Sequence, residues 1–149
     1  MRKLISSIIF SLFLLTPTIA LAQSATINEV RLEHNAFMSG QKGVKAHVDF
    51  SADYCQGQRI WVCLFVFDSD YELVPAYSRQ YSDPNGKLTV QLSTVPPYEY
   101  SVSHDFVLFL PYNQFHYVGP SAVFNIKICI IKDGDELDYT WDSFSLNRY

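Results

Sequence analysis

Thiols, clustered carboxylates and loop tyrosines are the side chains in this sequence that could react or bind. Cys55, Cys63 and Cys129 are the three cysteines. In a compartment where disulfides persist, an odd count allows one bridge among three pairings and leaves one thiol over. A nucleophilic thiolate needs an accessible, electropositive pocket and a base. Cys63 instead stands among Val62, Leu64 and Phe65, a setting for a buried thiol, while Cys129 shares a strand face with Lys127. His34, His47, His104 and His116 show no His-x-His, His-x3-His or Cys-x2-Cys spacing, so a zinc site would have to be assembled across strands. His47 reads as a residue of a solvated strand face, and His34 and His116 as polar residues at strand or loop ends.

Two acidic turns carry alternate carboxylates: Asp68, Asp70 and Glu72 in one, Asp133 and Asp135 in the other. Oxygen-rich turns of this kind can hold calcium. The competing expectation is a hairpin turn whose aspartates accept hydrogen bonds from their own backbone. Ten tyrosines make up much of the 15% aromatic content. Tyr98, Tyr100, Tyr112 and Tyr117 fall in polar, proline-flanked stretches, where a flat ring with a polar tip suits stacking on sugars or anchoring a protein interface. These four are the expected ligand-binding set.

Such groups must be held by strands, because the hydrophobic pattern has period two. Val44, Ala46, Val48 and Phe50 alternate with Lys45, His47, Asp49 and Ser51; Leu88 to Ser93 and Phe124 to Ile130 alternate in the same way. Ile60–Phe67 and Phe106–Leu110 are apolar on both faces and read as central strands covered on both sides, or as strands whose outer face carries aromatics. Weaker strands are expected at Ile27–Glu33, around Glu72–Val74 and at Leu137–Leu146. Ser39 to Gly43, Asp83-Pro84-Asn85-Gly86 and Asp133-Gly134 supply turns that need positive φ. Val95 to His104, with its paired prolines, reads as irregular. Seven or eight short strands separated by such turns predict an all-β, single antiparallel sandwich.

The N-terminus has a different character. Met1-Arg2-Lys3, an apolar run from Leu4 to Leu15 and the triplet Ala20-Leu21-Ala22 form the pattern of a secretory signal peptide cleaved after Ala22, leaving a domain over 23–149. The run is too short for a membrane span. Loss of Arg2 and Lys3 takes the 11 bases to nine against 15 acids, changing the formal charge from −4 to −6. That charge disfavours nucleic acid and anionic bilayers as partners.

The segments His34-Asn35, Gly40, Lys42-Gly43 and His47-Val48-Asp49-Phe50, with Asp105 to Tyr112 and Phe115-His116, resemble a small β-sandwich domain of unknown function that recurs in secreted proteins of Bacteroidota. The resemblance runs from Val30 to about Lys132. It implies an immunoglobulin-like fold and brings no catalytic residue; the three cysteines depart from its pattern.

The expected function is a secreted or periplasmic, non-catalytic module engaging protein or glycan through loop aromatics, without a cofactor. Other readings are a small thiol- or carboxylate-dependent hydrolase, and an acidic periplasmic inhibitor of a basic enzyme or toxin.

Overall fold

Alternation along the chain becomes layering in space. A computed structural model describes residues 20–148; the expected signal peptide lies outside them except for Ala20, Leu21 and Ala22. Seven strands form: β1 (Ser24–Met38), β2 (Gln41–Asp53), β3 (Ile60–Phe67), β4 (Thr89–Thr94), β5 (Tyr100–Pro111), β6 (Ser121–Lys132) and β7 (Asp135–Asn147). Single turns of 3-10 helix occupy Arg79–Tyr81 and Tyr112–Gln114. All ladders between the strands are antiparallel, giving a three-stranded sheet in the order β1-β2-β5 and a four-stranded sheet in the order β4-β3-β6-β7. Among the described residues no helix is long and apolar enough to cross a membrane.

One core lies between the sheets. Val44, Ala46, Val48 and Phe50 of β2 point into it, as do Val62, Leu64 and Val66 of β3 and Phe124, Ile126, Ile128 and Ile130 of β6. Complete burial of each large aliphatic or aromatic side chain contributes about 1.5–3 kcal/mol of transfer free energy, which makes this sandwich-like layer the main source of stability. Two-residue connections join β1 to β2 through Ser39-Gly40 and β6 to β7 through Asp133-Gly134. Both residues of each have positive φ, the backbone that matches the twist of flanking strands.

Three local expectations are corrected. Glu72–Val74 makes no strand, only an isolated bridge from Leu73 to Phe67, because the loop over 68–88 is built from tight turns rather than a ladder. Val95–His104 is not wholly irregular, since β5 begins at Tyr100 once Pro96 and Pro97 have passed. For Phe106–Leu110 the second of the two expected readings holds, since β5 is an edge strand whose outer face carries an aromatic. Its outward Phe109 is only 8% exposed because its ring lies against Gly43 of β2. Gly43 itself is no turn residue: it lacks a positive φ and sits buried in β2, opposite Pro111.

Candidate functional site

The four tyrosines do not form one surface. Tyr98 and Tyr100 lie before and at the start of β5, exposed to 68% and 61%, whereas Tyr112 and Tyr117 follow its end and are half-buried. Eleven residues of strand, roughly 36 Å at the usual rise, separate the two pairs. At the first end the Tyr54 and Tyr100 hydroxyls share a hydrogen bond. That bond pushes the Tyr100 phenol up to about 12.

Tyr112 and Tyr117 instead wall a groove of about 370 Å³ beside the edges of β1 and β7. It is completed by His34 and Asn35 of β1, Lys42 of β2, and Phe144 to Asn147 of β7. A bulge creates its shape. Between Glu33 and Ala36, β1 carries one more residue than β2 spans between Lys45 and Gly43, and Asn35 takes a φ of 57°. An inserted residue bends its strand and re-aims side chains. Here the Asn35 N–H donates to the Tyr112 hydroxyl at 2.8 Å, and the His34 ring packs 5.7 Å from that of Phe144. Tyr117 is fixed from the other side by Phe124 at 5.9 Å and by the Arg148 guanidinium 4.7 Å from its ring centre. Aromatic walls with amide, imidazole and ammonium tips can bind a polar ligand that has apolar faces.

No known family, curated protein or solved structure matches this chain. The site must therefore be read from its own geometry.

A second polar cluster covers the outer face of the three-stranded sheet, and sequence spacing did not reveal it. Alternation brings Glu33 and Arg31 beside His47, and a bulge in β5 turns Asp105 toward the same ring. His47 Nε2 is 3.0 Å from Glu33 Oε2, and its Nδ1 bonds Asp105. Arg31 stands 3.9 Å from Asp105. Asp105 has a φ of 56°, and its N–H donates to Asp49 Oδ1 at 2.7 Å, with His104 Nδ1 3.4 Å from the other oxygen. The His47 bond holds the Glu33 carboxyl below its ordinary range. The Asp105 N–H, followed by His104, does the same for Asp49. Both His47 ring nitrogens are thus engaged by carboxylates, which makes this cluster a closed polar network across the sheet face. Its sequence signal was the strand parity shared by Arg31, Glu33, His47 and Asp49; the missing piece was the bulge at Asp105.

The acidic turns behave as turns. Asp68 Oδ1 accepts from the N–H groups of Asp70 and Glu72 at 2.9 and 3.0 Å, and Asp133 pairs with Lys132. Asp135 opens β7. Among the described residues no three His, Cys, Asp or Glu side chains are placed to hold a metal ion. All three thiols are buried and unbridged, and burial pushes Cys55 up from the ordinary thiol range.

Proposed function

We propose that this chain is a secreted, non-catalytic binding module of immunoglobulin-like type that takes a glycan in the groove between β1 and β7. The observation that carries the reading is the pair of fixed rings, Tyr112 and Tyr117, set among His34, Asn35, Lys42 and Asn147 around a space of about 370 Å³. Sugar rings present apolar faces and hydroxyl rims, which such walls and tips complement. Small-ligand sites begin at about 300 Å³, so the groove is large enough. Anchoring of both rings before binding lowers the ordering cost of association. The strand orders β1-β2-β5 and β4-β3-β6-β7 support the immunoglobulin-like type, corresponding to strands A-B-E over C′-C-F-G. Burial of all three thiols leaves a cysteine nucleophile no path to substrate, which favours binding over hydrolysis. The leader pattern at residues 1–22 supports export.

A glycan array probed with the purified protein tests the proposal. The expected result is a retained glycan whose binding falls at least tenfold in Tyr112→Ala and Tyr117→Ala and is unchanged in Tyr98→Ala. Failure to retain any glycan, or loss of binding in Tyr98→Ala alone, overturns it. A protein partner is the second reading, favoured by the exposed Tyr98, Tyr100 and Val102 at the opposite end of β5. Pull-down of a partner lost in Tyr98→Ala but kept in Tyr112→Ala would select it.

A further inference from the structure

Sequence leaves three disulfide pairings open, and the fold separates them. Cys63 on β3 is directly opposite Cys129 on β6. Their strand neighbours Val62, Leu64, Ile128 and Ile130 point into the core, so both thiols stand side by side on the outer face of the four-stranded sheet. Cys55 belongs to the core between the sheets, where its thiol lies 3.4 Å from the Asp53 carbonyl. The backbone layer of β3 and β6 therefore divides Cys55 from the other two. Directly opposed residues of an antiparallel pair have Cα atoms about 4.5–5.5 Å apart, inside the roughly 4.4–6.8 Å that a disulfide spans.

We infer that Cys63 and Cys129 are a modification site at which a disulfide-class oxidant forms one intramolecular bridge, joining the two central strands of the four-stranded sheet. One thiolate attacks the oxidant's S–S bond, forming a mixed disulfide and expelling one oxidant sulfur as a thiolate. The second thiolate then attacks the protein sulfur of that mixed disulfide and expels the other oxidant sulfur. Two electrons and two protons leave the cysteine pair, and the oxidant's disulfide ends as two thiols. Each thiol is only 1% exposed in the folded protein. Exchange therefore belongs to the folding chain, before the outer face closes, and the finished sheet then shields the bridge from reductants.

The test refolds the reduced protein in a glutathione redox buffer, alkylates remaining thiols under denaturing conditions, and maps peptides without reduction. The expected product is a single cross-linked peptide pair joining Cys63 to Cys129, with Cys55 alkylated. Cys55→Ala should give the same bridge, and Cys129→Ala should give none. The bridged protein should also denature at a higher urea concentration than the reduced one. A bridge that includes Cys55, three alkylated thiols in the refolded wild type, or equal denaturation midpoints with and without the bridge would overturn the inference.

Discussion

Replacing Gly43 by alanine should be among the most damaging single-methyl additions to this protein. A Cβ at this position would fall inside the van der Waals shell of the Leu110 carbonyl oxygen and 2.8 Å from both Phe109 Cε2 and Pro111 Cα. Two of those atoms are backbone, so rotation of the Phe109 ring relieves only part of the clash. The end of β5 must move away from β2, which weakens the ladder around the Gly43 and Pro111 pairing. Overpacking costs about 1–3 kcal/mol, and a lost ladder hydrogen bond adds about 1 kcal/mol. The expected penalty is therefore about 2–4 kcal/mol. Urea denaturation reads it as a lower midpoint at unchanged slope. Gly40→Ala is the control: Gly40 has a φ of +77° with open space around its added methyl, so only the left-handed backbone penalty of about 1–2 kcal/mol applies. The double variant Gly43→Ala, Phe109→Ala should recover less than half of the loss. A Gly43→Ala protein within about 0.5 kcal/mol of wild type, the usual range for changes without a packing mechanism, would refute the argument.

Glu33 and Asp49 both have depressed folded-state values, so they stabilise the fold above their ordinary values of 4.5 and 3.8 and lose that contribution as pH falls through the lower folded ones. Melting temperatures of wild type should accordingly exceed those of Glu33→Gln and Asp49→Asn at pH 6, and the gap should close in strong acid. Spectrophotometric titration should find Tyr100 ionising near 12 in wild type and closer to its ordinary 10.0 in Tyr54→Phe, because the hydroxyl–hydroxyl bond is the largest cause of the shift. Ile128→Ala, at a fully buried position in β6, should lose about 2–5 kcal/mol in the same urea assay.

Strand parity made most of the fold legible. Val44 to Phe50 and Phe124 to Ile130 bury the residues their alternation assigns to the core, because each strand has one solvated face. Phe106–Leu110 leaves two readings open for a physical reason: an apolar outer face can be covered locally, as Phe109 is by lying on Gly43, without a strand on each side. Gly43 shows the complementary difficulty, since a glycine selected for close approach has the same letter as one selected for positive φ. The acidic turns and the burial of Cys63 were also readable from local context. What local context could not supply was the division of the four tyrosines into two pairs, which depends on the length of β5. Nor could it bring His47 to Glu33 and Asp105, contacts set by cross-strand register and by an inserted residue.

Both polar assemblies on the three-stranded sheet depend on the same device. Asn35 and Asp105 are non-glycine residues held at positive φ within β1 and β5, a conformation that persists only when its surroundings fix it. In each case the displaced amide donates to a side chain from another segment, Asn35 to Tyr112 and Asp105 to Asp49. The groove is thus set by a strand irregularity rather than by a free loop. It follows that backbone conformation at position 35 should matter more than the side chain for the placement of Tyr112. Asn35→Gly keeps the left-handed backbone and its N–H, so stability should stay within about 0.5 kcal/mol of wild type, offset chiefly by unfolded-state entropy. Asn35→Val opposes the same conformation and should lose about 1–3 kcal/mol, with weakened glycan retention although Tyr112 is untouched. Equal stability in the glycine and valine variants would mean that the bulge does not hold the groove in place.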